Sequence, residues 1–174
     1  MNRWPPEPPR GMNSSRVFLG LGSNLGDRRE HLSWAVGQLE SILSDIRVSS
    51  LYSTAPRDYT AQPDFLNLCV SGLPLLSPPD TLKRLLELEA RRGRDRSLVT
   101  EKGPRPLDMD ILLWGTALIR LPELEVPHPR LCEREFVLIP LLELDPFLVH
   151  PESGVLLGDS LKALEPQGIY YFTL

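Results

Sequence analysis

The chain has 174 residues, room for one compact domain with a real core and too little for two. Hydrophobic residues at 41% and charged residues at 24% exclude wholesale disorder. The formal net charge of −4 argues against a general nucleic-acid or anionic-membrane binder, because those need a basic field.

All the cations except Lys83, Lys102 and Lys162 are Arg. Arg forks grip carboxylate and phosphate bidentately, although genomic composition bias gives the same excess. Cys69 and Cys132 form no CxxC pair and have apolar neighbours, as buried thiols in a reducing compartment do. With His31, His128 and His150 scattered, no structural zinc site is expected. No apolar run approaches the roughly 18 residues of a membrane span, so a soluble, cytoplasmic chain is expected.

Residues 1–15 are Pro-rich and aperiodic and read as a disordered tail before a single domain over 16–174. Val17–Leu21 reads as a strand entering the loop Gly20-Leu-Gly-Ser-Asn-Leu-Gly26. Asp27 and Glu30 have capping-box spacing, and Leu32, Ala35, Val36, Leu39, Ile42 and Leu43 continue as one helical stripe. Ile46–Ser53 and Leu66–Leu73 read as strands, separated by a turn-rich Ala55–Asp64. Asp80 is placed to cap a helix carrying Leu82, Leu85 and Leu86 that stops at Gly93. Residues 93–105 form a long cationic loop before a strand over Leu107–Trp114, with a short partner near Ala117–Ile119. Arg134–Leu144 reads as a helix that Pro140 must end or kink, and the remainder as irregular. The β-α-β-β-α-β order predicts an α+β domain with a ferredoxin-like core and a mainly antiparallel sheet.

The glycine loop has the pattern GxGxxxG, one residue too long for a dinucleotide fingerprint, and the absence of a Gly-Lys pair excludes a Walker A loop. The sharpest signal is Arg105-Pro-Leu-Asp108-Met-Asp110-Ile111. In a strand Asp108 and Asp110 share one face while Leu107, Met109 and Ile111 take the other. Paired carboxylates there repel and lose hydration, which a hard divalent cation would offset. An exposed face with two solvated carboxylates beside Arg105 fits the spacing as well. Glu89 falls on the apolar stripe of the second helix, where a carboxylate needs a ligand group or an Arg as partner. Phe65 and Asn67 share a strand face, an aromatic plate and an amide suited to a flat heterocycle; a core Phe beside an edge amide reads the same way.

Taken in order, GSNLGD, STAP with QPDFLN, GRxR, GPRPLDMDILLWG and VPHPR followed by Arg134-Glu-Phe136 resemble the signatures of 6-hydroxymethyl-7,8-dihydropterin pyrophosphokinase. The resemblance spans about Val17 to Gly154. It implies a three-layer αβα domain and transfer of pyrophosphate from ATP to the pterin's hydroxymethyl oxygen, releasing AMP, in folate biosynthesis. By position, Asp108 and Asp110 would hold two Mg²⁺ ions, and Arg94 and Arg105 would neutralise charge in the transition state. Glu89, Arg96, Ile111, His128 and Arg134 would line the ATP side. Phe65 and Phe136 would sandwich the pterin, Asn67 with Thr54, Ala55 and Arg57 would read its edge, and Gly22 and Asn24 would border the pocket. A monomer is expected, with ATP and the pterin as its partners. The rival from another class is a non-catalytic ferredoxin-like binding module, which has no need for all these features together.

Overall fold

The structure, a computed structural model, describes residues 15–55, 63–93 and 103–172. The first part of the chain forms β1 (Val17–Ser23), α1 (Arg28–Gln38), β2 (Leu43–Val48), β3 (Tyr52–Thr54), β4 (Phe65–Pro74), α2 (Pro78–Arg91) and β5 (Asp108–Trp114). It continues through β6 (Ile119–Leu121), β7 (Leu124–Val126), α3 (Glu135–Leu144), α4 (Leu157–Lys162) and β8 (Ile169–Tyr171). Residues 1–14 of the expected tail over 1–15, and the expected site residues Arg57, Arg94 and Arg96, with Lys102, lie outside the described residues.

Strands β5, β1, β4, β3 and β8 lie side by side in that order, β2 also pairs with β4, and the pairings are antiparallel. The path β1-α1-β2-β4-α2-β5 is the expected ferredoxin-like core. Its layers follow from the two-residue period of the strands. Val17, Leu19 and Leu21 face one side with Leu66, Leu68, Val70, Met109 and Ile111, where Leu32 and Ala35 of α1 and Leu85 and Leu88 of α2 close the core. Phe18, Cys69, Leu112 and Leu113 face the other side, against Val137, Leu138 and Leu141 of α3 and Leu157 of α4. The result is the αβα sandwich. Along this second face the aliphatic side chains give out: β1 offers Gly20 and Gly22, β5 Asp108 and Asp110, β4 Phe65 and Asn67.

Several local expectations are corrected. The stripe over 32–43 is not all helix: α1 ends at Gln38, a 3₁₀ turn covers Leu39–Ser41, and Leu43 opens β2. Leu43 is buried against Gly72, where any Cβ would lie 2.9 Å from the Leu43 Cβ, so burial rather than helical phase selects this leucine. The expected strand over 46–53 is two strands, β2 and β3. Ser77 caps α2, its Oγ accepting the Asp80 N–H at 3.3 Å, with Pro78 and Pro79 in the first turn. Ile119 pairs with β7 in a separate two-stranded sheet, not with β5. Helix α3 runs through Pro140 to Leu144, because burial of Val137, Leu138 and Leu141 outweighs the one backbone bond lost at proline. The segment expected to be irregular contains α4 and β8.

Candidate active site

Register assembles the site. Across β1–β5, Asp108 stands opposite Gly22 and Asp110 opposite Gly20; across β1–β4, Gly22 faces Asn67 and Gly20 faces Cys69. Directly paired residues project to the same side, so both aspartates and Asn67 share the second face. Leu107, Met109 and Ile111 are buried in the first layer, as the alternation predicts; Ile111, expected beside ATP, thus lies on the face of β5 opposite the carboxylates. Phe18 pairs with Leu113 and Leu19 with Ile111, leaving Leu112 as an inserted residue. Leu112 and Leu113 therefore both enter the second layer, and the Leu112 carbonyl accepts the His128 N–H at 2.9 Å. The irregularity in β5 anchors the His128 segment beside it.

Gly22 keeps the face open. A Cβ there would meet Asn67 Oδ1 at 3.1 Å and Phe65 Cδ1 at 3.9 Å. With strands about 4.8 Å apart, roughly 10 Å separates the Asp108 and Asn67 backbones, and no side chain stands on Gly22 between them. Asn67 Nδ2 donates to Thr54 Oγ1 at 2.9 Å. This bond turns the amide so that its oxygen points over Gly22. Ala55, next to Thr54, is exposed.

Arg105 joins the two halves of the face. Its Nη2 lies 2.9 Å from Asp108 Oδ2, and its guanidinium sits 5.3 Å from the Phe65 ring centroid. Glu89 is only 1% exposed, and its Oε1 accepts the Met109 N–H at 2.8 Å. A partner was required by burial; the one found here is a backbone amide of the aspartate strand, which no side-chain pattern announces. Asn24, completely buried after β1, bonds the backbone of Arg105 in both directions: its N–H donates to the Arg105 carbonyl at 3.1 Å and its Oδ1 accepts the Arg105 N–H at 2.8 Å.

His128, Arg134 and Phe136 come from the segment leading into α3. Arg130 N–H donates to His128 Nδ1 at 3.1 Å, so the neutral ring carries its proton on Nε2. Burial, then the Arg134 charge, push His128 down to about 4, with Asp108 pulling the other way. Arg134 lies 5.5 Å over the half-buried Phe136 ring. Burial and Arg130 lower the Arg134 pKa, while Asp110 and Asp108 oppose that shift. Both aromatic rings of the site thus carry an arginine, and both arginines answer to the aspartate pair.

A family model described as 7,8-dihydro-6-hydroxymethylpterin-pyrophosphokinase (HPPK) matches residues 18–146, most of the chain. The chain belongs to the HPPK family. It is 40% identical over 156 residues to the 2-amino-4-hydroxy-6-hydroxymethyldihydropteridine pyrophosphokinase of Pseudomonas aeruginosa, covering 88% of this chain and 94% of that one. The protein of the same name from Aquifex aeolicus is 38% identical over 135 residues, 78% of this chain and 83% of its own. The folic acid synthesis protein fol1 of Schizosaccharomyces pombe is 39% identical over 159 residues, but those residues are 90% of this chain and 21% of that protein. The fold is that of the wild-type Plasmodium falciparum HPPK-DHPS crystallised with pteroate: TM-score 0.68 at 14% identity, over 84% of this chain and 44% of that one.

In this HPPK chain the paired carboxylates suit a hard divalent cation by donor type. Among the described residues no group of three or more His, Cys, Asp or Glu side chains converges as a metal cage. Asp108 and Asp110 offer two half-buried carboxylates on an open face, the number Mg²⁺ takes from protein when phosphates and water complete its octahedron. Sequence reasoning did not single out Arg28, whose Nη1 donates to the Asp64 carbonyl at 2.7 Å just before Phe65. A side chain that bonds a backbone oxygen leaves no motif to find. No described helix is long and apolar enough to cross a membrane.

Proposed function

We propose that this chain transfers pyrophosphate from ATP to the hydroxymethyl oxygen of 6-hydroxymethyl-7,8-dihydropterin, with Mg²⁺, releasing AMP, as a step of folate biosynthesis. The observation that carries the reading is the row Asp108–Gly22–Asn67, with Phe65 at one end of it and Arg105 reaching across. On this reading Asp108 and Asp110 would hold two Mg²⁺ ions, which would supply Lewis-acid activation of the pterin hydroxyl and positive charge against the phosphates. Everything else falls to side chains. Phe65 and Phe136 stack the flat heterocycle, and Asn67 with the Thr54–Arg57 segment reads its donor and acceptor edge. Gly22 and Asn24 border that pocket.

Glu89, Arg96, His128 and Arg134 line the ATP side, with Ile111 behind them on the other face of the aspartate strand. His128 serves there as a neutral Nε2–H donor, since its Nδ1 already accepts a backbone N–H. Arg94 and Arg105 supply positive charge to the phosphoryl group in transfer, where little covalent work is needed beyond in-line placement and neutralisation. The names of the Pseudomonas and Aquifex relatives support this substrate. We further infer a cytoplasmic monomer, in keeping with the free thiols of Cys69 and Cys132.

Incubation of the full chain with MgATP and the hydroxymethyl pterin tests the reading. AMP and a pyrophosphorylated pterin are expected, with loss of turnover on chelation by EDTA. Formation of ADP, or no turnover by folded protein, would overturn it.

A further inference from the structure

We propose that Asn24 is a positioning residue of this reaction, acting through Arg105: it sets where that guanidinium sits between the Phe65 ring and the Asp108 carboxylate. The proposal rests on the pyrophosphoryl-transfer reading given above for Arg105. Asn24 pairs with both backbone groups of one residue, Arg105, as a strand neighbour would, although neither lies in a strand. Its Nδ2 also donates to the Pro63 carbonyl at 3.3 Å. Three segments therefore meet on this residue: the exit of β1, the entry to β4 and the entry to β5.

The consequence lies in what those segments carry. Phe65 follows Pro63 by two residues, and Asp108 follows Arg105 by three. The ring and the carboxylate that the Arg105 guanidinium touches are thus attached to the two segments that Asn24 joins. A long arginine side chain has many rotamers, so the place of its head depends on a fixed backbone. Misplacement by about 1 Å can cost on the order of a hundredfold in rate. A carboxamide suits the task because it offers an acceptor and a donor in one plane. Aspartate would turn an oxygen toward the Pro63 carbonyl. Serine would be too short to span both partners.

A double-mutant cycle on the full chain tests this, reading AMP formation with MgATP and the pterin. Asn24→Ala is expected to lower kcat by about 10- to 100-fold with little change in KM for ATP. In an Arg105→Ala background the same change is expected to remove less than about threefold more, because the side chain it positions is already gone. Amide exchange gives a readout independent of turnover: the Arg105 N–H should exchange faster in Asn24→Ala while the Met109 and Ile111 amides stay protected. If Asn24→Ala fails to fold, Asn24→Ser supports the same cycle with a smaller loss of volume. Losses that multiply in the double variant, or unchanged exchange at Arg105, would overturn the proposal. A wild-type chain that releases no AMP overturns the reaction reading instead, and exchange then judges the clamp by itself.

Discussion

Arg105 holds Asp108 at 2.9 Å while its guanidinium lies 5.3 Å over Phe65. One cation therefore contacts both the carboxylate assigned to metal and the ring assigned to pterin. Binding of either ligand exchanges a contact that Arg105 already makes. Arg105→Ala should then leave pterin affinity unchanged or tighter, while kcat falls by about 100-fold through loss of charge neutralisation. Calorimetry with the pterin, set beside AMP release, separates the two effects; a large loss of pterin affinity would contradict this account.

Asp108→Asn and Asp110→Asn should each reduce AMP formation by at least about 100-fold with the fold intact. Both side chains are half-buried at a strand face, and asparagine at 108 keeps an acceptor for the Arg105 N–H, so the loss of stability should stay at about 1–2 kcal/mol. Thermal unfolding within a few degrees of wild type, together with lost turnover, is the expected pattern. Retained activity in either variant would remove that carboxylate from the metal site.

Phe136→Ala should weaken pterin binding by about tenfold and ATP binding much less, since stacking of an aromatic pair is worth roughly 1 kcal/mol beyond the buried area. The ring also packs on the second core layer, so some loss of stability accompanies it. Titration of each ligand in turn decides; equal losses would mean that the ring serves the fold and not the pterin.

Glu89 makes a backbone contact whose loss should appear in stability. Glu89→Ala removes the carboxylate that accepts the Met109 N–H inside the core, at a cost of about 2 kcal/mol. Glu89→Gln retains an acceptor and should cost less. Urea midpoints of the two variants give the comparison, and a nucleotide-binding defect in Glu89→Gln alone would assign the charge to ATP.

Stability should also fall as the pH drops from about 6.5 toward 4. His128 is pushed down to about 4 in the folded protein against an ordinary 6.5, so between these values the unfolded chain binds the additional proton. Above 6.5 both states are neutral there and the contribution is constant. Carboxylates titrate in part of the same window, so the measurement is the difference between wild type and His128→Gln in melting temperature against pH. The variant should lose less stability on acidification; parallel curves would show that His128 is solvated.

Much of this site was legible in the sequence because its logic is strand periodicity. The alternation Asp108-Met109-Asp110-Ile111 determined which residues share a face before any coordinate, and Phe65 with Asn67 followed the same rule. Glycine at 22 and the burial of Glu89 were readable as constraints, although not their partners. What only tertiary structure decided was pairing between distant segments. That Gly22 lies between Asp108 and Asn67, that Met109 N–H satisfies Glu89, and that Asn24 holds Arg105 all involve groups far apart in the chain. The bonds of Glu89 and Asn24 also run to backbone N–H and C=O groups, which every residue carries alike. The same limit hid the end of α1. Ile42 and Leu43 keep the spacing of a helix, and only the packing of Leu43 against Gly72 turns the second of them into the start of a strand. Local pattern specifies which face a residue takes, whereas close approach between segments specifies which residue meets it there.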